Sequence, residues 1–316
     1  MPTEIEDWND LNAIDDTDDG DYVLVNDLDS DTAGYAGVGD DWDPIGLAED
    51  PGDSFLDGFQ GTFNGQGHEI RDLIIDVNHG DVGLFGSVRG GDGSEVIENL
   101  GVIGDVSSSD SSNNVGILVG DYRDADALTN CYVSGTVSAN DMEGVGGMVG
   151  ISDESGISNC YSLADVTGDE RVGGYIGNTG LDSGISECYA AGSVSGNIDV
   201  GGFVGLSSND PTASFWDTEA TGQDTDGADE TTGLPTADMQ GDLPGTTMDE
   251  FDYEGIWSAV TGGENADSDG YPILRDISME GQGDTQNITI SEFRNPPFLA
   301  FQVWKDIEDG TVVKDL

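Results

Sequence analysis

The sequence predicts an all-β fold in which short parallel strands stack as the coils of a solenoid. Three observations lead to this prediction. A Val-Gly-Gly-X-Val-Gly run recurs through the middle of the chain, a second motif ending in Cys-Tyr recurs between these runs, and the intervening segments are short β-rich stretches joined by Gly, Ser, Asn and Asp. A fixed period of roughly 20–50 residues indicates near-identical units, each of which buries its apolar side only against its neighbours.

The glycine-rich runs define the repeat. Strict copies begin at Val145, Val172 and Val200, and looser copies begin at Val82 and Val115. Units of this length leave no room for helices, whereas parallel strands can hydrogen-bond from coil to coil around a dry interior. The glycines permit the tight corners that such coils need.

The Cys-Tyr motifs predict an interior column of side chains. Cys131, Cys160 and Cys188 are spaced by 29 and 28 residues, so they occupy the same position in successive repeats. In such a column cysteine acts as a small hydrophobe, and we expect no disulfide. The predicted column consists of Leu73, Leu100, Cys131, Cys160, Cys188 and Phe215.

The tyrosines that follow these cysteines predict a second column. Tyr132, Tyr161 and Tyr189 repeat with the same spacing, and we place Trp216 in register with them. Two interpretations remain open. The column is either an aromatic stack on the outside or in a corner of the coil, or a strip that binds sugars.

Composition divides the chain into four predicted regions. Residues 1–54 form an N-terminal cap around Trp8 and a first strand, followed by an acidic insertion loop over 30–54. Residues 55–218 hold the β-helix repeats, and residues 219–284 form a C-terminal cap with Trp257 and Tyr271–Leu274 as its apolar mass. Residues 285–316 are less acidic and rich in aromatics, which favours a β appendage for attachment or oligomerisation.

The charge balance predicts adaptation to high salt. The chain has 65 acidic and 8 basic residues, a net charge of -57 spread over its whole length. Molar salt shortens the Debye length to about 3 Å and relieves the resulting self-repulsion. This charge excludes phosphate-mediated nucleic-acid binding. No stretch of 18 apolar residues predicts a membrane span, and the N-terminus lacks the pattern of a secretion signal.

The sequence offers one candidate cation site and no catalytic set. Asn265, Asp267, Asp269 and Asp276 match the oxygen-ligand spacing of a calcium loop. We expect no required cofactor, with Ca²⁺ or another cation as an optional ligand. His68 and His79 are expected to be ordinary turn residues, and Arg89, Arg123 and Arg171 are placed in turns. Paired carboxylates are uninformative in so acidic a chain.

These motifs together resemble the GLUG-motif repeat proteins. The resemblance rests on the glycine runs, the Ser-Asn-Cys-Tyr segments, Phe63–Ile70, Phe215–Thr218 and Asp269–Leu274, and it covers about residues 5–277. It implies a right-handed parallel β-helix. It also implies a setting on surfaces, in adhesins and large exported proteins that are often haloarchaeal, and no catalytic residues.

The functional expectation is a non-enzymatic structural protein of a halophilic system. With no signal peptide in the chain, the leading hypothesis is a virion surface component such as a turret, spike or tail fibre that contacts the host envelope. The alternatives are a haloarchaeal cell-surface adhesin whose signal was removed, and a glycan-cleaving β-helix enzyme. Expected partners are copies of the same chain, for example in a trimer, other virion or surface proteins through 285–316, and a host glycan or protein.

Overall fold

The structure, a computed structural model, is a parallel β-solenoid. It describes residues 1–15, 19–46, 58–78, 81–90, 95–109, 114–139, 144–241, 243–259 and 270–277. Within these ranges no helix is both long enough and apolar enough to cross a bilayer. The elements that precede the repeats are β1 (Thr3–Ile5), α1 (Trp8–Leu11), β2 (Asp21–Leu24), β3 (Thr62–Asn64) and β4 (Glu69–Asp76).

Five coils follow, and their starts coincide with the five glycine-rich runs. The first two coils contain β5 (Phe85–Arg89), β6 (Val96–Ser108), β7 (Asn114–Val115), β8 (Val119–Arg123) and β9 (Ala127–Ala139). The third contains β10 (Gly144–Gly146), β11 (Val149–Asp153), β12 (Gly156–Ser158) and β13 (Tyr161–Thr167). The fourth and fifth contain β14 (Glu170–Gly173), β15 (Ile176–Thr179), β16 (Gly184–Ser186), β17 (Tyr189–Ala190), β18 (Val194–Ser195), β19 (Ile198–Gly201), β20 (Val204–Ser207) and β21 (Phe215–Asp217).

The strands form three stacked parallel sheets, as the repeat predicted. The long sheet runs β1-β2-β3-β6-β9-β13-β17-β21-β22, where β22 is Thr232–Leu234, and β4, β12, β16 and β18 pair alongside this path. The second sheet is β5-β8-β11-β15-β20, and the third is β7-β10-β14-β19. Inward-facing valines, leucines and isoleucines of all three sheets join one core cluster.

The glycines of the repeated run allow neighbouring coils to approach closely. A Cβ on Gly177 would lie 2.2 Å from the backbone nitrogen of Val145, one coil earlier. A second local device precedes the cysteines. Asn130 and Asn159 adopt left-handed φ values of 52° and 53°, a conformation that asparagine tolerates better than most residues. This explains why Asn precedes Cys in these repeats.

The centre of the predicted cysteine column is confirmed. Leu100 pairs with Cys131, and the Cys131 backbone N–H approaches Sγ of Cys160 at 3.3 Å. Cys131, Cys160 and Cys188 are fully buried free thiols, so the absence of a disulfide is also confirmed. Each Sγ donates to the carbonyl two residues earlier, for example Cys160 to Ser158 at 3.1 Å.

The two ends of that column were predicted wrongly. Leu73 pairs with Gly104, four residues beyond Leu100, because successive strands here are offset by 31 to 32 residues and not by the 27 that the predicted alignment assumed. Phe215 pairs with Tyr189, while Ser214 lies opposite Cys188. A slip of one residue moves a side chain to the opposite face of a strand.

At the N-terminal end, α1 packs against the core. The Asp7 carboxylate accepts from the backbone N–H groups of Asn9 and Asp10, at 2.8 and 3.0 Å, and so caps α1. Trp8 is fully buried and its indole N–H donates to the Asp29 carbonyl at 2.9 Å. The prediction that 30–54 is only an insertion loop is wrong for 42–46. Trp42 and Ile45 are buried there, and Ile45 bridges to Phe85 of the second sheet.

The last strand of the second sheet ends on a carboxylate. In the second, third and fourth coils two adjacent backbone N–H groups donate to one carbonyl of the next coil, as Tyr175 and Ile176 do to the Phe203 carbonyl at 3.0 and 3.1 Å. In the last coil Phe203 and Val204 donate instead to one carboxylate oxygen of Asp226, at 2.8 and 2.7 Å. The side chain therefore replaces the carbonyl that a further coil would supply.

The remaining elements fold back along the outside of the long sheet. They are α2 (Thr218–Thr221), α3 (Thr236–Met239), α4 (Pro244–Thr247), β23 (Trp257–Ser258) and β24 (Ile273–Leu274). Strands β23 and β24 form a small antiparallel pair. Trp257 and Leu274 pack against the outward tyrosines rather than across the solenoid end, where the predicted C-terminal cap placed them. We call the described residues from 236 onward, namely 236–241, 243–259 and 270–277, the lateral segment.

Candidate binding surfaces and charged clusters

The tyrosine column is stacked but covered. The ring centroids of Tyr132 and Tyr161 are 5.1 Å apart and those of Tyr161 and Tyr189 are 4.8 Å apart, with nearly parallel planes. All three side chains are fully buried, because Trp257 packs on Tyr161 and Tyr189 at 5.9 and 5.8 Å. A sugar cannot reach them, so of the two interpretations the aromatic stack is correct.

The fourth member of this column is Phe215, not Trp216. Trp216 pairs with Ala190 and belongs to the core inside the coil, whereas Phe215 lies among the residues covered by the lateral segment. This is the same slip of one residue that displaced Phe215 from the cysteine column.

A charged cluster closes the N-terminal end of the tyrosine column. The Tyr132 hydroxyl donates to Oε1 of the fully buried Glu69 at 2.6 Å, and Arg71 donates to Oε2 of Glu69 at 3.2 Å. Asp27 lies 3.0 Å from Nδ1 of His68 and 3.5 Å from Arg71. Burial, followed by the Glu69 charge, raises the pKa of Tyr132 well above its ordinary value. The phenol therefore stays protonated and donates to the Glu69 carboxyl group.

A second buried cluster lies where the second and third sheets meet. The carboxylate of Asp121 is almost fully buried and forms ion pairs with Arg89 and Arg123. The Arg123 contact is 2.7 Å long, although its angles fall short of a hydrogen bond. Arg89 and Arg123 are the last residues of β5 and β8 and are backbone partners in the sheet. Arg171 lies in β14. The prediction that all three arginines lie in turns was therefore wrong.

Asp81 belongs to the same cluster. Its carboxylate accepts from the Asn114 backbone N–H at 3.0 Å and from the Asn114 amide at 2.8 Å. Burial, and next the charge of Asp121, raise the pKa of Asp81 to about 6. With two arginines already neutralising Asp121, this pair of carboxylates is suited to joining coils rather than to acid–base chemistry on a substrate.

An open groove runs along one corner of the solenoid. One part, of about 570 Å³, is lined by Gly90, Ala125, Gly156 and the acidic residues Asp124, Glu154 and Asp182. A second part, of about 500 Å³, continues past Gly184 to Asp210 and Glu230. Asp124, Glu154 and Asp182 stand one per coil on left-handed turns, and the negative charge of Asp124 raises the pKa of the exposed Glu154.

The predicted calcium loop cannot be assembled from the described residues. Asn265, Asp267 and Asp269 lie outside them, as does His79, and Asp276 is exposed. Within the described ranges, no three His, Cys, Asp or Glu side chains come close enough to hold a metal ion. His68 lies at a turn, as expected, and contacts Asp27. The appendage predicted over 285–316 also lies outside the described residues.

Comparison with known proteins connects the chain to a haloarchaeon. No family model matches it. The chain is 36% identical over 156 residues to Halomucin of Haloquadratum walsbyi (strain DSM 16790 / HBSQ001). The match covers 47% of this chain but only 2% of Halomucin, so the chain spans a small fraction of that protein's length.

One solved structure has the same fold. It is a crystal structure at 1.30 Å resolution of a Bacteroides ovatus protein described as a "putative immunoglobulin A1 protease". The two chains align with a TM-score of 0.63 and 19% sequence identity, over 88% of this chain and 93% of the other. Identity this low establishes a shared solenoid architecture and nothing about activity.

Proposed function

We propose that the chain is a non-enzymatic, salt-adapted structural module of a haloarchaeal surface protein. The observation that carries this proposal is the 36% identity to Halomucin over 156 residues. The net charge of -57 supports the salt-adapted part of this proposal. The solenoid fold supports the structural part, since a stack of similar coils presents a long, rigid outer surface.

A cell-surface protein is favoured over a virion component. Halomucin belongs to a cellular organism, whereas the virion hypothesis rested on the absence of a signal peptide from this chain. The motif resemblance to GLUG-repeat proteins points in the same direction. Residues 285–316, with their reduced acidity and four aromatics, are proposed to attach the module to neighbouring copies or to other surface proteins.

The non-enzymatic part of the proposal rests on the surroundings of the carboxylates. Asp121 and Glu69 are buried against arginines, so neither is open to a substrate. The groove acids Asp124 and Glu154 interact with each other, but the described groove is open and is lined by no arginine or aromatic side chain that would hold a sugar between two carboxylates. A glycan-hydrolysis assay in molar KCl should therefore yield no product, and reducing ends released in proportion to protein concentration would contradict this part.

Surface location can be tested on intact cells of the source organism. Cells held in their growth brine are treated with a salt-tolerant protease, and the chain is followed with an antibody against the solenoid. We expect the chain to be cleaved while a ribosomal protein stays intact. Protection of the chain until the cells are lysed would overturn the surface assignment, and recovery only with purified virions would restore the viral alternative.

Salt adaptation can be tested on the purified chain. The thermal unfolding midpoint is followed from about 0.2 M to about 3 M KCl, a range over which the Debye length falls to a few ångströms. We expect the midpoint to rise steeply, because screening relieves repulsion among 65 acidic residues. A midpoint that stays flat or falls would contradict the halophilic interpretation.

A further inference from the structure

The long sheet carries a regular, exposed polar surface beside the lateral segment. Outward positions of β6, β9, β13 and the β17–β18 stretch align in two columns, because Asp105 pairs with Thr136, Thr136 with Asp165, and Ser107 with Ser138. We call this surface the hydroxyl face. Its eight members are Asp105, Thr136, Asp165 and Ser193 in one column, and Ser107, Ser138, Thr167 and Ser195 in the other.

The hydroxyl face is outward because the residues between its columns point inward. Val106, Val137, Val166 and Val194 alternate with its members and are buried in the core. Seven of the eight polar members are exposed and Ser107 is half-buried. Neighbouring members stand about 4.8 Å apart along the axis and about 6.6 Å apart across it, the spacings of a parallel sheet.

The carboxylates of this face are fixed by hydroxyls of the next coil. Thr136 donates to Asp105 at 2.7 Å, and Ser193 donates to Asp165 at 2.7 Å. In the same way, Ser107 of β6 donates to Asp76 of the preceding strand, β4, at 2.9 Å. Each pair leaves further carboxylate lone pairs that can accept, while the exposed hydroxyls of Ser138, Thr167 and Ser195 can both donate and accept.

We infer that the hydroxyl face binds a linear, uncharged polysaccharide laid along the solenoid axis. This inference rests on the proposed surface function and names the ligand class of that surface. One column alternates carboxylate and hydroxyl from coil to coil and the other carries a hydroxyl at every coil, so a ligand laid along the axis meets the same groups at every second coil. A linear polymer of identical sugar units can match such a repeat. Weak identical contacts repeated along a polymer add up through high effective concentration.

Physical conditions favour an uncharged ligand over an ionic one. In molar salt, interactions between exposed charges are screened beyond about 3 Å, so ion pairing contributes little at this face. Hydrogen bonds from fixed carboxylates and hydroxyls keep their directionality in brine. The face also lacks any large exposed aromatic side chain, and the tyrosines suited to stacking on sugars are buried beneath the lateral segment.

The test is a pull-down in about 3 M KCl with microcrystalline cellulose and chitin as linear probes and cross-linked dextran as the branched control. The variant combines Thr136→Val, Ser138→Ala, Thr167→Val and Ser195→Ala, which remove the hydroxyls and keep strand-compatible side chains. A control variant changes the hydrogen-bonded pair Thr129 and Ser158, which lies outside the face in β9 and β12, to Val and Ala. Thermal midpoints confirm that each variant is folded.

We expect the wild-type chain and the control variant to bind a linear probe, and the face variant to lose most of that binding. No binding of the wild-type chain to either linear probe would overturn the inference. So would equal binding by the face variant, or equal capture on dextran. Because this assay uses purified protein, its failure is distinguishable from failure of the surface assignment, which is measured by protease cleavage on cells.

Discussion

The two columns of the solenoid differ in what buries them, although their residues are adjacent in sequence. Cys131, Cys160 and Cys188 point into the coil and are buried by the same strands that carry them. Tyr132, Tyr161 and Tyr189 point outward and are buried only because the lateral segment folds over them. One column is complete once the coils form, whereas the other depends on a chain segment distant in sequence.

This difference shows that two equally buried columns can depend on different parts of the chain for their burial. Both columns are fully buried, so their burial alone would suggest the same role. The cysteine column stabilises contact between coils, and the tyrosine column is the docking surface of a separate cover. Substitutions in the cysteine column should therefore destabilise the whole solenoid, whereas substitutions in the tyrosine column should first release the lateral segment.

The largest effect is expected from removing the cover's central side chain. Trp257→Ala empties the space over Tyr161 and Tyr189, and truncating a buried tryptophan costs about 3–5 kcal/mol. Hydrogen exchange should increase first in the lateral segment and leave the coil strands protected. Leu243→Ala, at an exposed position, is the matched control. Simultaneous loss of protection in both regions would show that the cover and coils are one cooperative unit.

A smaller effect is expected at the polar end of the tyrosine column. Tyr132→Phe removes the donor to the buried Glu69 carboxylate, and hydrogen bonds to charged groups contribute about 1.5–3 kcal/mol. Tyr35→Phe removes a comparable hydroxyl whose acceptor is the neutral Asp72 carbonyl, so it should cost less. Equal losses in chemical denaturation would mean that Glu69 does not depend on the phenol.

The cysteine column should respond to polarity rather than to loss of a cover. Cys160→Ser puts a smaller, more polar hydroxyl where Sγ now contacts the Ser158 carbonyl and the Cys131 N–H, so these partners remain and the cost should be only about 1 kcal/mol. Cys160→Ala removes both contacts and is the matched apolar comparison. Both variants should unfold in a single transition that includes the lateral segment. A serine variant as stable as wild type would mean that the column accepts polar groups.

The pH dependence of the unfolding free energy tests the contacts between coils independently of the tyrosine column. The pKa of Asp81 is raised to about 6 from an ordinary 3.8, so its contribution to stability is present below pH 3.8 and is lost as the pH rises through 6. Asp81→Asn should therefore gain about 1–2 kcal/mol over wild type at pH 8 and little at pH 4. Asp199→Asn, at an exposed position, should show no such crossover. A wild-type advantage that grows with pH would reverse the assignment.

The coil interior was predictable from sequence because its signals are local and repeated. The glycine runs, the Asn-Cys pairs and the alternation around Val137 and Val166 each recur, so every copy supports the others. Register errors arose only where the repeat ends, at Leu73 and Phe215. The error is four positions at Leu73 and one position at Phe215, and no further copy exists beyond either end to reveal it.

The covered face and the polar face could not be predicted in the same way. That the tyrosines are buried depends on Trp257 and Leu274, whose distance in sequence carries no periodic signal. The pairing of Arg89 with Asp121 likewise requires knowing which strands are neighbours. The hydroxyl face did leave a signal, since Asp105, Thr136 and Asp165 are aligned when repeats are superimposed. It was missed because acids and hydroxyls are common throughout the chain.

The carboxylate of Asp226 has a consequence for how such molecules can change in length. It takes the place of one backbone carbonyl and satisfies the last two N–H groups, so the stack stops there without requiring the repeats to degenerate first. The Asp226 carboxylate contacts only the final coil. A segment that carries it could therefore follow a solenoid of four, five or six coils equally well. Duplication of a single repeat upstream would then yield a longer solenoid with an intact end, and coil number can drift between related chains while both termini stay unchanged.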